Sequence, residues 1–255
     1  MARRANYDLA GQKVLITGAA SGIGLGAATA YARAGAAVAI NHLPDDPRGA
    51  EAIQALRAEG LSVIGAPGDV SVPGEAERMV EQAISDLGGL DVLVNNAGTP
   101  ATRQTIPPAR LDLVTDEMWD SILSTNLVGV FRCTKAAAPA LKAARGAVVN
   151  TASIAALGGA GSSMAYAASK AAVASLTRNL ARALAPEVRV NAIAPGGVDS
   201  PWLDWTPEQK VQHVEKSLLK RVGTPVDYAD TILFLTHGND FVTGAMLVVD
   251  GGLSL

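Results

Sequence analysis

Short runs of apolar residues, separated by longer stretches with helical spacing, recur along this 255-residue chain, and few folds accept that pattern. Seven runs read as strands: KVLIT (13–17), AVAIN (37–41), SVIGA (62–66), DVLVNN (91–96), AVVNTA (147–152), VRVNAIA (188–194) and MLVVD (246–250). Most are continuous rather than alternating, as in strands covered on both faces. Between them, EAERMVEQAISDL (75–87) and DEMWDSILSTNLVGVFRCTKAA (116–137) carry helical periodicity. Strand and helix in alternation imply right-handed crossovers and a seven-stranded parallel sheet flanked by helices, an α/β doubly wound domain. No Pro/Gly/Ser-rich linker and no internal repeat divides the sequence, so one domain over 1–255 is expected.

Composition narrows the function. Hydrophobic residues make up 49% of the chain but aromatics only 4%, so the core must be built from Ala, Val, Leu and Ile. A net charge of −3 with no Lys/Arg block argues against a nucleic-acid partner. The single cysteine, Cys133, cannot form an internal disulfide, which fits a reducing, cytoplasmic setting. The basic opening MARRANYDLAG has no signal-peptide core behind it, and runs such as AAVAI and AAAPAL are too short to span a bilayer. The expectation is a soluble protein without a membrane partner. His42, His213 and His237 show no metal-ligand spacing, and the last two read as surface or loop residues.

The first strand runs directly into TGAASGIG (17–24). Gly18, Gly22 and Gly24, with Ser21 and Ile23 between them, suit a tight turn. Its backbone can approach a pyrophosphate at the positive N-terminus of the next helix. That is the mark of a Rossmann-type dinucleotide site. It says nothing of chemistry.

Chemistry enters with Ser153, just after the fifth strand, and with YAASK (166–170) on the helix that follows. Tyr166 and Lys170 are one helical turn apart and face the same way. Hydride transfer to a carbonyl leaves an alkoxide that needs a proton, and the reverse reaction needs a base. A phenol titrating near ~10 is a poor base at neutral pH. A nearby ammonium is expected to lower that value, and a serine hydroxyl to steady the developing oxyanion. No G-x-S-x-G elbow competes for a hydrolase reading.

TGAASGIG, NNAG (95–98) and YAASK, together with GDV (68–70), STN (124–126), PGG (195–197) and the closing VTGAMLVVDGG (242–252), resemble the short-chain dehydrogenase/reductase family in its compact form. The resemblance covers nearly the whole chain, in order and register. It implies an NAD(P)-dependent oxidoreductase interconverting a carbonyl and an alcohol, with Asn126, Ser153, Tyr166 and Lys170 as the catalytic set. In that set Asn126 supports a water leading from Lys170 to solvent, and Lys170 also binds the nicotinamide ribose. It further implies cofactor contacts at Asp69, Val70, Asn96, Ala97, Gly98, Pro195, Gly196, Val198 and Ser200, a substrate lid at about 195–220, and a homotetramer. The alternative is a catalytically silent nicotinamide-binding regulator on the same fold. Such proteins commonly lack part of the Ser/Tyr/Lys set, which is complete here.

Enzymes of this architecture that use NAD place an acid at the end of the second strand, on the ribose hydroxyls. Here Asn41 and His42 stand at that point, and Asp45 and Asp46 read as a solvated loop. NADP(H) is therefore favoured, with NAD(H) as the alternative. Ser21, where many NADP-using relatives carry a basic residue, and Leu43 weigh the other way. The substrate rim is expected from 99–110, 154–164 and 195–210, including Trp202 and Trp205, with Arg103 and Arg110 exposed. This suits a small, neutral or weakly polar carbonyl compound or alcohol.

Overall fold

The structure is a computed structural model that describes residues 6–159 and 161–255. Arg3 and Arg4 of the basic opening and Ala160 of the rim lie outside the described residues. Strands β1 (Lys13–Ile16), β2 (Ala37–His42), β3 (Val63–Pro67), β4 (Val92–Asn95), β5 (Ala147–Thr151), β6 (Arg189–Pro195) and β7 (Met246–Val249) form one sheet. It is parallel throughout, in the order β3-β2-β1-β4-β5-β6-β7. The helices are α1 (Gly22–Arg33), α2 (Pro47–Ala58), α3 (Glu75–Leu87), α4 (Asp116–Leu123), α5 (Gly129–Ala144), α6 (Met164–Leu184), α7 (Pro207–Lys216) and α8 (Pro225–Leu233).

The two-residue period of a strand divides the core into two layers. Val14 and Ile16 of β1 pack with α1, α2 and α8, whereas Leu15 between them packs with α3, α5 and α6. Val38 and Ile40 against Ala39, and Val92 and Val94 against Leu93, repeat the division. Both faces are therefore apolar, which is why the strands read as continuous runs. Removing one such side chain from water is worth roughly 1.5–3 kcal/mol.

Local chemistry sets the helix starts that matter for the site. Ser163 caps α6 by accepting from Tyr166 N at 3.1 Å. Asp46 caps α2 ahead of Pro47, whose fixed φ suits the first helical position. The expected long helix over 116–137 is interrupted: Ser124–Val128 form a π-type turn between α4 and α5. One wide turn in a helix often marks a functional position. Asn126 sits within it. Among the described residues no helix is long and apolar enough to cross a membrane.

Candidate active site

In open parallel sheets, ligands settle beyond the carboxyl ends of the strands where the strand order reverses. Here that point lies between β1 and β4, and a cavity of about 1570 Å³ opens over it. Its wall runs from the loop after β1, past the ends of β2, β4, β5 and β6, to α7.

The glycine loop is held from below. Gly18 has φ +61°, and a Cβ there would stand 2.7 Å from Ala97 Cα, so only glycine fits this close crossing. Thr17 Oγ1 accepts from the backbone of both Asn96 and Ala97 at 3.0 Å, and Asn96 Nδ2 donates to Thr17 O and Gly18 O. Gly18, Ser21, Gly22 and Ile23 line the cavity, as do Asn96, Ala97 and Gly98, whereas Gly24 lies behind the wall. Ser21 precedes α1, but its hydroxyl does not cap that helix. A glycine-rich loop of small side chains at the mouth of a helix N-terminus has the shape and charge to take a pyrophosphate.

Asn41 reaches the cavity wall, but its carboxamide is engaged inside the protein. Oδ1 accepts from Gly18 N at 3.0 Å, and Nδ2 donates to Ala66 O and Gly68 O at 3.0 and 2.9 Å. It braces the glycine loop against β3. The His42 ring lies against Gly49 of α2, with Nδ1 2.9 Å from Leu43 O. Asp69 and Val70 form the facing wall, where Asp69 Oδ1 accepts from Ser71 N at 2.8 Å.

Asp46 is not part of a solvated loop. Its side chain is only 13% exposed, it lines the cavity, and it grips Arg48 through paired bonds of 2.9 and 2.7 Å. The guanidinium holds the Asp46 carboxyl below the usual carboxylate range. Sequence reasoning missed Arg48, because PDDPRG reads as an ordinary helix start until the fold places it on the cavity.

Ser153, Tyr166 and Lys170 line the same cavity, with Lys170 Nζ 3.7 Å from where a Cβ on Gly98 would stand. Ser153 follows β5, and its Oγ accepts from Ala155 N at 3.1 Å in a short 3-10 turn, Ile154–Leu157. It also shares a side-chain hydrogen bond with Tyr166. Burial pushes the Tyr166 phenol up to about 12, and the Ser153 bond pulls the other way. The ammonium of Lys170 lies 5.6 Å from the Tyr166 ring centroid and donates to Thr151 O at 2.7 Å. Only 3% of Lys170 is exposed, and burial brings its ammonium down to about 8. The expected lowering of the phenol by Lys170 is therefore replaced here by burial and by Ser153.

Asn126 stands behind the wall rather than on it. Its Oδ1 accepts from Thr99 N at 2.7 Å, while Nδ2 donates to Thr99 O and Ser169 Oγ at 3.0 and 3.2 Å. Ser169 Oγ donates in turn to Tyr166 O at 2.7 Å. The π-type turn thus ties the loop after β4 to the turn of α6 that carries Tyr166.

Pro195, Gly196, Val198 and Ser200 close the cavity at the end of β6. Ser200 faces the glycine loop, its Cβ 3.5 Å from where a side chain on Gly22 would begin. Trp202 and Trp205 also line the cavity, the Trp202 ring centred 6.0 Å from that of Tyr166. Arg103 is exposed, yet it joins the two loops of the rim, donating to Asp204 Oδ1 at 2.5 Å and to Pro201 O at 3.3 Å. Arg110 is exposed and paired with Asp112. Neither His213 nor His237 is a free surface histidine. The first packs on Trp205 with ring centroids 4.9 Å apart, and the second hydrogen-bonds Thr236 and Gln12.

The glycine loop and the Ser153, Tyr166 and Lys170 side chains share one cavity, Lys170 buried and the other two half-buried. Residues 18–254 match a family model described as enoyl-(acyl carrier protein) reductase. The chain is 34% identical to the 3-oxoacyl-[acyl-carrier-protein] reductase FabG of Staphylococcus aureus, over 95% of this chain and 98% of that protein. A short chain dehydrogenase from Burkholderia cenocepacia solved with NADP superposes with a TM-score of 0.87 at 30% identity, covering 97% of this chain and 100% of that one. A 7α-hydroxysteroid dehydrogenase solved with NADH and 7-oxo glycochenodeoxycholic acid gives 0.88 at 30% identity, covering 97% and 96%. The chain belongs to the short-chain dehydrogenase/reductase family and is an NAD(P)-dependent oxidoreductase.

Proposed function

We propose that this protein interconverts a ketone or aldehyde and its alcohol, with NADP(H) favoured over NAD(H). The observation that carries the reading is the meeting of Ser153, Tyr166 and buried Lys170 on the cavity that the glycine loop also lines. A bound nicotinamide supplies or accepts the hydride. The protein handles the proton and the charge. Ser153 donates a hydrogen bond to the carbonyl oxygen, which gathers negative charge as the hydride arrives. Tyr166, whose phenol keeps its proton at neutral pH, gives that proton to the same oxygen and completes the alcohol. Lys170, still largely charged at neutral pH, holds Thr151 O and offers its ammonium to the phenolate left behind and to a ribose hydroxyl. Asn126 is a positioning residue that fixes the Tyr166 turn and supports the proton path from Lys170 to solvent.

The glycine loop, with Ser21 and Ile23, holds the pyrophosphate. Asp69 and Val70 flank the adenine, and Asn96, Ala97 and Gly98 lie along the cofactor. Pro195, Gly196, Val198 and Ser200 meet the carboxamide end. The NADP(H) preference rests on His42 in place of an acid, with Arg48 beside it at this end of the cavity but paired with Asp46. Asp46 opposes a 2′-phosphate, but its charge is engaged by Arg48. Exposed Val128 and Phe131 at the α5 end and Leu247 and Val248 on the edge strand support a homotetramer, and the lone buried Cys133 a cytoplasmic setting.

A steady-state assay over a panel of ketones and aldehydes, run with NADPH and NADH at one ionic strength, tests this. Wild type should reduce carbonyls with the higher kcat/KM for NADPH. His42→Asp should lower the NADPH/NADH ratio by about one to two powers of ten, since an added acid repels a 2′-phosphate by up to a few kcal/mol before screening. A wild-type preference for NADH overturns the cofactor reading. Cofactor binding with no turnover of any carbonyl overturns the catalytic one in favour of a silent regulator.

A further inference from the structure

We propose that the substrate of this cavity is an aromatic ketone, with a flat ring system beside the reacting carbonyl. The inference rests on the carbonyl-reducing reading above and adds the class of substrate.

Aromatic residues are only 4% of the chain, and two of its three tryptophans lie in one stretch of the cavity wall. Both are half-buried. Trp202 meets the Tyr166 ring at a 60° tilt, and its edge comes within 3.4 Å of where a Cβ on Gly98 would stand. An indole is thus set beside the phenol that handles the proton. Trp205 continues the panel and packs on His213 at an interplanar angle of 35°. This pair rests on Gly197, where a Cβ would stand 2.8 Å from the Trp205 ring and would collide with the His213 imidazole. Glycine at 197 lets the two rings lie against the backbone. Gly159 and Gly161 also line the cavity and add no side-chain volume there. Half-buried rings beside the phenol offer a flat apolar face to a substrate.

Stacking against an aromatic side chain favours a flat ring over a saturated one of equal size.

The test compares 1-tetralone, cyclohexanone and ethyl acetoacetate as substrates, each with NADPH and NADH. It adds calorimetric binding of 2-naphthol and cyclohexanol to the purified protein. Wild type should favour 1-tetralone over cyclohexanone by about tenfold in kcat/KM, the scale of one aromatic contact. Trp202→Leu should bring the ratio near unity, while Trp202→Phe should keep most of it. Binding of 2-naphthol should exceed that of cyclohexanol and fall in Trp202→Leu, whatever the turnover. Equal or faster reduction of cyclohexanone or ethyl acetoacetate by wild type overturns the proposal and leaves carbonyl reduction standing. If no carbonyl is reduced, the reaction assignment fails; tight, Trp202-dependent binding of 2-naphthol would still support the aromatic site, and no binding would end it.

Discussion

The floor and the roof of the cavity are built in opposite ways. On the floor, Lys170 and Asn126 are 3% and 1% exposed, and every bond they make runs to a strand end, a helix or the loop between them. On the roof, the segment after β6 is joined to the loop after β4 through Arg103 and Asp204, whose side chains are 63% and 59% exposed. A buried, fully bonded group is held in one geometry because displacing it strands polar atoms without partners. An exposed ion pair contributes about 0–1 kcal/mol. Under the proposed mechanism, proton chemistry sits on buried, bonded elements and recognition falls to a segment held by exposed contacts.

If that contrast is right, the largest losses come from the floor. Tyr166→Phe keeps the packed ring but removes the proton, and kcat should fall by about 10²–10⁴ with NADPH affinity within a few fold of wild type. Steady-state kinetics beside a fluorescence titration of the cofactor checks this. Retention of most of the kcat would remove Tyr166 from the chemistry.

Lys170→Met should cost less in turnover, about 10–10³-fold, and should expose what the centre costs the fold. Burial brings this lysine from 10.5 to about 8, so the unfolded chain holds its proton over a pH range where the folded protein has released it. Stability from this group therefore rises as pH increases from 8 toward 10.5. Between pH 7.5 and 9.5, wild type should gain about 2 kcal/mol more than Lys170→Met in urea unfolding. Parallel pH dependences would show that the lysine is not buried as described.

The smallest effect belongs to the roof. Arg103→Ala should raise KM by no more than about fivefold, and the difference should fade as salt is added, as for an exposed pair. A loss comparable to that of Tyr166→Phe would erase the distinction between floor and roof.

The same contrast governs what the sequence revealed. Continuous apolar runs located all seven strands to within about a residue, because a sheet covered on both faces leaves no polar alternation to misread. Tyr166 and Lys170 were legible because their relation is local, one turn of one helix. The π-type turn at Ser124–Val128 was not, since five residues are too few to separate its period from that of an α-helix. Arg48 and Asp46 escaped for a different reason. Their setting is made by tertiary placement, the start of a helix brought to the mouth of β2. Asn41 shows the converse, a polar residue at a cofactor position whose amide serves the scaffold.

The central claim, that Tyr166 moves the proton, is tested most directly by the pH dependence of alcohol oxidation. The measurement is kcat/KM for the alcohol product of an accepted ketone, from pH 5.5 to 7.5, below the value of about 8 at which Lys170 loses its proton, in wild type and in Tyr166→Phe. Oxidation needs the phenolate, and burial holds the phenol high. Wild-type activity should therefore climb with pH, approaching tenfold per unit where the phenol remains protonated, while the residual activity of Tyr166→Phe should stay flat. The same climb in both proteins would contradict the account and assign the proton to another group.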